Sequence, residues 1–376
     1  MNARERLLSA VSHRPVDRIP MDLGSCNVTS IHRDAYLKLL RHFHLEDPDV
    51  RLMDYATQLA IPCEALLAVL DIDTRGVYLA APKINKTQFL NESCYIDAWG
   101  VKWRRPESAT CYDVVASPLQ EMDSLDEIRE YRFPTLEEIA SNDGVAQRAA
   151  FLRNQTNFGV VGSFGSSIFM KAQQLRGYSR LFEDMLIDED IAHYLMQRIL
   201  EVRIRLADLL IDACGDQLDI IEMADDVAGQ ESLMLSAGLY RKMIKPYTKA
   251  LISHIKSRCP AKILYHSCGS VYPLIEDLIE IGVDVLNPIQ VSAKDMGDLT
   301  RLKQQFGNRI CFWGGIDSQV LLPTASPDAV RQAVCDAVAQ LGKDGGYVLC
   351  ASHNLQSDIP TENILAMYEQ ARIVRP

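Results

Sequence analysis

Residues 262–269 read Lys-Ile-Leu-Tyr-His-Ser-Cys-Gly. Five residues of β-favouring, almost wholly apolar character run into a His-x-Cys pair, and a glycine then releases the chain toward an amphipathic segment, Tyr272 to Ile281. A strand with no polar alternation is one covered on both faces, as in a parallel sheet whose crossovers are helices. The same unit recurs on either side. Candidate strands are Phe158 to Gly162, Leu218 to Met223, Val283 to Asn287, Arg309 to Trp313 and Gly346 to Cys350, and candidate helices are Tyr178 to Ala213, Leu239 to Ser257 and Pro327 to Leu341. The last helix is punctuated by Ser326 as N-cap, Pro327 at its first position and Gly342 beyond its end.

Six βα units, with β-like segments at Ile19 to Leu23 and Arg51 to Asp54, make about eight, the number that closes a (β/α)8 TIM barrel. The expected fold class is therefore α/β, with an N-terminal extension and inserted β-hairpins. Residues 1–376 are expected to form a single domain, with 1–120 as N-terminal elaboration and 150–376 as the main βα repeats. Lys83 to Leu119, rich in Thr, Tyr, Trp and Val and containing Ala98-Trp99-Gly100, is the hairpin material, and Glu121 to Glu138 reads as a surface connection.

Composition narrows the function. The chain has 376 residues, 39 Lys+Arg against 50 Asp+Glu and a formal charge of −11, without the clustered cations that duplex nucleic acid requires. No run approaches ~18 apolar residues, so no membrane span is expected. The N-terminus lacks the apolar core and cleavage site of a signal peptide, which predicts a cytoplasmic protein with reduced thiols. The ten cysteines include no Cys-x-x-Cys pair.

In an extended segment residues i and i+2 share a face, so His266 and Cys268 can address one ion at the carboxyl end of a strand, where barrel enzymes keep their active sites. A buried histidine beside a buried free cysteine would read the same way. Cys350 ends the last predicted strand and reaches the same rim, and one imidazole with two thiolates is a set suited to Zn2+ with a fourth position left open. Glu222 and Asp225, leaving another strand end in Ile221-Glu222-Met223-Ala224-Asp225-Asp226, are candidate catalytic acids or bases, the bland alternative being a helix-capping loop. Asp226, Gln290, Asp317, His353 and Asn354 are candidate substrate-binding residues on the rim. Gly162 to Ser167 is glycine-rich but is neither a Walker loop nor Gly-x-Gly-x-x-Gly, and reads as a tight turn.

Taken together, these stretches resemble the uroporphyrinogen decarboxylase superfamily, and within it the corrinoid-dependent methyltransferases. The resemblance rests on Arg4 to Leu8 through Asp17-Arg18-Ile19-Pro20, Leu70 to Arg75, Leu175-Arg176-Gly177, Ala224-Asp225-Asp226, His266 to Gly269, Leu286-Asn287-Pro288, Gly314 to Asp317 and His353-Asn354 through Pro360 to Asn363. Where porphyrinogen decarboxylases carry Met-Arg-Gln-Ala-Gly-Arg, this chain has Met21-Asp22-Leu23-Gly24-Ser25-Cys26, setting an acid against a polycarboxylate substrate. The methyltransferase branch is similar in its His-x-Cys followed far downstream by Cys, carried here by His266, Cys268 and Cys350. It implies a zinc enzyme moving a methyl group between a small substrate, a thiol or a methylated ether or amine, and methylcobalamin carried by a partner corrinoid protein. The chain itself has no Asp-x-His-x-x-Gly segment to carry the cobalamin. Two other readings are a decarboxylase with Asp73 or Asp225 near the reacting group, and a non-catalytic corrinoid- or tetrapyrrole-binding protein.

Overall fold

The computed structural model describes all 376 residues. Seven parallel strands form one sheet, in spatial order Tyr347–Ala351, Cys311–Ile316, Val285–Ile289, Lys262–His266, Ile220–Ala224, Gly159–Ser163 and Thr74–Tyr78. The gap between first and last is bridged by the stretch around Met21. The Leu349 amide donates to the Pro20 carbonyl (2.9 Å), the Asp22 amide to the Leu349 carbonyl (3.0 Å) and the Asp73 amide to the Met21 carbonyl (3.0 Å). With this short eighth segment the sheet closes as the expected (β/α)8 TIM barrel.

Most strands are buried along their whole length, which is why their sequences read as apolar runs rather than alternations. Helix Ala3–Val11 closes the amino-terminal end of the barrel. Its Leu7, Ala10 and Val11 join Val161, Ile220, Leu264, Val285, Cys311, Trp313 and Val348 in one interior apolar cluster. Gly159 is required there, because a Cβ would lie 2.2 Å from the Leu7 side chain. Only the carboxyl end of the barrel is left to build a site.

Four expectations are corrected. Arg51 to Asp54 is not a barrel strand; Leu52–Asp54 pairs antiparallel with Leu59–Ala60 in a separate three-stranded sheet, and the barrel uses Thr74–Tyr78 instead. Tyr178 to Ala213 is two helices, Tyr178–Ile187 and Glu189–Cys214, broken at Asp188, and the next long helix divides at Ile244 into Ala237–Met243 and Lys245–Arg258. The connection Glu121 to Glu138 contains two short helices, Leu125–Glu130 and Leu136–Ile139, each opened by a capping box. The hairpin insertion is as expected: Gln88–Asn91, Cys94–Ile96, Lys102–Arg104 and Asp113–Ala116 form a four-stranded antiparallel sheet.

Candidate metal centre at the barrel mouth

Strand Lys262–His266 ends on its histidine, and Gly269, held at φ +88°, turns the chain so tightly that a Cβ would lie 2.4 Å from the Gly229 carbonyl. This turn brings Cys268 back over the strand end, with its Sγ 3.3 Å from His266 Nε2. The imidazole is fixed from behind. Asn287, fully buried on the neighbouring strand, points its Oδ1 at His266 Nδ1 (2.6 Å) while its amide nitrogen donates to the Trp313 carbonyl (3.3 Å). With the amide so oriented, Nδ1 must carry the proton and donate, and the lone pair of Nε2 faces the thiol.

The third donor is His353. Its ring nitrogen, the Cys268 Sγ and the His266 Nε2 all lie within 4.8 Å of one another. Donors around a tetrahedral zinc with arms near 2.0–2.3 Å stand roughly 3.5 Å apart, so the trio needs only small side-chain adjustments to hold one ion. Burial and the neighbouring Asp226 carboxylate push the Cys268 thiol well above its usual range. A free Cys268 is therefore a neutral thiol, and a bound cation is what makes it a thiolate. Asp226 stands just outside the trio. Its Oδ1 accepts from the Cys268 amide (2.7 Å) and lies 3.8 Å from His266 Nε2.

Cys350, expected as the third ligand, is not in this group. Strand Tyr347–Ala351 runs one residue further than expected, and the Cys350 thiol turns into the barrel. It packs with Cys26, Trp313 and Val348, 3.1 Å from the Ala351 carbonyl and 4.0 Å from the Asn287 amide nitrogen. The residue grouped with Cys268 is His353, beyond the strand end and expected among the substrate-binding residues.

The other expected residues divide between site and scaffold. Asp225 accepts the amides of Ile168, Phe169 and Met170 at 2.7–2.9 Å, capping helix Phe169–Arg176, and burial holds its carboxyl at about 6. Gln290 braces the turn through the Gly269 amide (2.7 Å) and Gln230 (3.0 Å), Asp317 accepts the amides of Gln319, Val320 and Leu321, and Asn354 accepts the Ser30 amide. Asp22 is fully buried between Thr74 and the Trp313 indole (3.2 Å), where it bonds across the closing seam of the barrel.

Glu222 differs from these. It is buried inside the barrel with a single hydrogen bond, from the Ser163 hydroxyl (2.6 Å), and burial pushes its pKa up to about 7. A carboxyl whose pKa rises from 4.5 to about 7 on folding binds more protons in the folded state. The folded protein should thus lose stability as pH climbs through that window, by roughly 3 kcal/mol in the limit. In Glu222→Gln this slope should vanish, so urea midpoints of wild type and variant measured at pH 5 and pH 7.5 should diverge; parallel changes would show that Glu222 is ionised throughout.

A closed (β/α) barrel with a cluster of side chains that could hold a metal ion at its carboxyl mouth is an architecture found in a large class of enzymes. The family model described as Uroporphyrinogen decarboxylase (URO-D) matches residues 93–373, and the chain belongs to that family. Among curated proteins it is similar to the uroporphyrinogen decarboxylases of Synechococcus sp. (strain JA-3-3Ab), 24% identical over 54% of this chain and 52% of that one, and of Trichodesmium erythraeum, 26% identical over 57% of each. The matched region spans about half the length of these relatives. Among solved structures, a methyltransferase from Methanosarcina mazei superposes over 99% of this chain and 98% of its own, with a TM-score of 0.70 at 19% identity, and so shares the fold. No helix is long and apolar enough to cross a membrane.

Proposed function

We propose that this chain is a zinc-dependent methyltransferase that moves a methyl group between a small substrate and a corrinoid carried by a partner protein, with His266, Cys268 and His353 holding the ion. The observation that carries the reading is the trio itself, two imidazoles and one thiol converging on the only end of the barrel that is open. Three protein ligands leave a fourth position for substrate, the arrangement of catalytic rather than structural zinc sites. The whole-length likeness in fold to a methyltransferase supports the same reading.

When bound there, zinc supplies Lewis acidity to the substrate heteroatom, activating a thiol as a nucleophile or helping a methylated oxygen or nitrogen to leave. The chain's own residues supply the rest. Asn287 keeps the Nδ1 proton in place and so commits Nε2 to the mouth; Asp226 adds negative charge beside the trio and orients the Cys268 backbone. Glu222, with burial raising its pKa to about 7, can both hold and release a proton near neutral pH and is suited to exchange one with substrate deeper in the barrel. Such outer partners commonly contribute 10–100-fold to metal affinity. Asn287→Ala should therefore weaken zinc binding on the order of 10–100-fold while the chain stays folded, as read by chelator competition and circular dichroism; unchanged affinity would deny Asn287 this role.

A porphyrinogen decarboxylase is the reading that the curated relatives' names invite. It is disfavoured by the fate of the two acids expected near its reacting group. Asp225 is committed to the amides of Ile168, Phe169 and Met170, and Asp73 is consumed by two arginines at the opposite end. The test is spectroscopic. The zinc-loaded protein mixed with reduced cobalamin and methylated ethers or amines should produce the absorbance of methylcobalamin, or consume it in the presence of a thiol. Turnover of uroporphyrinogen without any cobalamin change would replace this proposal with the decarboxylase.

A further inference from the structure

The strand beside the turn that carries Cys268 supports both His266 and Cys268. Asn287, on strand Val285–Ile289, holds the His266 ring, and its backbone carbonyl accepts the Ser267 amide (2.9 Å). Just past the end of that strand, Gln290 is buried against the same turn. Its side-chain oxygen accepts the Gly269 amide (2.7 Å), and its side-chain nitrogen donates to Gln230 Oε1 (3.0 Å). A backbone N–H can only donate, so the atom of Gln290 facing Gly269 must be the oxygen, and Gln230 then receives the nitrogen.

From Ser267 to Ser270 every backbone amide is claimed by an oxygen. Ser267 donates to the Asn287 carbonyl, Cys268 to Asp226 Oδ1 (2.7 Å), Gly269 to Gln290 and Ser270 to the Gly229 carbonyl (2.8 Å). In a tight turn the amides at and after a cysteine are the donors nearest its sulfur. A hydrogen bond from one of them to a metal-bound thiolate would draw off part of the charge that the sulfur shares with the ion. Here the Cys268, Gly269 and Ser270 amides are all engaged elsewhere. Cys268 is held by a carboxylate and Ser270 by a backbone carbonyl, whereas Gly269 depends on one neutral side chain from another strand.

We infer that Gln290 is a positioning residue for the metal-bound thiolate. By gripping the Gly269 amide it keeps that donor off Cys268 Sγ and preserves the sulfur's electron donation to the ion. This inference rests on the zinc reading above. Without the Gln290 oxygen, the Gly269 amide loses its acceptor and is free to turn to the sulfur.

The test is absorption spectroscopy of the full-length protein loaded with Co2+ in place of zinc. The near-ultraviolet band from thiolate-to-cobalt charge transfer reads electron donation by the sulfur, which a change in fold stability alone does not move. Gln290→Glu keeps an oxygen for Gly269, and the exposed Gln230 can turn its amide to suit, so this variant should keep the wild-type band. In Gln290→Leu the band should move to higher energy, by about 10 nm. A wild-type band in Gln290→Leu, or the same displacement in both variants, would overturn the role. Amide hydrogen exchange of the metal-free protein supplies a second reading. Exchange at Gly269 should be about ten-fold faster in Gln290→Leu than in wild type or Gln290→Glu, and unchanged exchange would overturn the grip on Gly269 whatever the metal. A wild type that takes up no Co2+ would instead remove the zinc reading, and the thiolate role with it, while leaving the exchange result to stand.

Discussion

Purified protein should contain about one zinc per chain, and His353→Ala and Cys268→Ala should each lose most of it, whereas Cys350→Ser should retain it. The physical basis is the directional nature of the donors. His266 Nε2, Cys268 Sγ and the His353 ring nitrogen share one small volume at the mouth, and the Cys350 thiol is turned away from it toward the Ala351 carbonyl. Removing one of three ligands leaves a two-donor site, which no longer competes with water and buffer for the ion at ordinary concentrations. Metal analysis after gel filtration reads this directly, and thermal denaturation with and without a chelator gives an independent reading, since an ion that binds only the folded state raises its stability. Zinc lost from Cys350→Ser but kept by His353→Ala would reassign the third ligand to Cys350. A metal-free wild-type protein that gains no stability from added zinc would remove the centre altogether.

The contrast between Cys350 and His353 also shows where the sequence stopped being informative. Strand ends were legible because burial on both faces leaves an apolar signature, and His266-x-Cys268 was legible because alternation and the following glycine fix two side chains on one side of a turn. The last strand offered the same kind of signal in Gly346 to Cys350, but the strand continues through Ala351, so Cys350 lies one residue inside it with its thiol held within the barrel rather than at the rim. His353 lies in irregular backbone beyond the strand, where no periodicity predicts direction. Its one signal was proximity in sequence to a rim.

The same limit explains Leu52–Asp54. Three β-favouring residues look alike in a barrel and in a peripheral antiparallel sheet, because partner choice is a tertiary fact. The Thr74–Tyr78 strand was missed for the opposite reason, since Thr-Arg-Gly-Val-Tyr has a charged residue at its second position. Arg75 is nevertheless buried, with its guanidinium 3.6 Å from the Phe158 ring and its Nε bonded to Glu64 (2.6 Å). Asp225, Asp317 and Asn354 look functional by position and prove to be committed to backbone amides, a use that neither residue type nor spacing distinguishes from catalysis.

Asp73→Ala should destabilise the protein by about 3 kcal/mol or more, well beyond any effect of Asp71→Ala two residues earlier. Asp73 is almost fully buried and accepts three strong bonds, from Arg6 Nη1 (2.6 Å), Arg18 Nη1 (2.6 Å) and the Met21 amide (2.8 Å). Its own amide donates to the Met21 carbonyl, so it ties the N-terminal helix, the closing segment around Met21 and the strand beginning at Thr74 into one junction. Without the carboxylate, the acids left to Arg6 and Arg18 are Asp17 and Asp71, both near half exposed, beside the Met1 and Ile19 carbonyls, while the Met21 amide loses its acceptor. Breaking a buried charge pair by deleting one partner commonly costs 3–5 kcal/mol, because the remaining charge stays desolvated. Asp71, 54% exposed and bonded to the same Arg18, belongs to the class of surface pairs worth under about 1 kcal/mol. Urea midpoints for the two single variants test the difference. Equal, small losses would mean that water enters the junction and replaces the carboxylate; a large loss confined to Asp73→Ala would make this residue the latch of the barrel, placed at the end away from the chemistry.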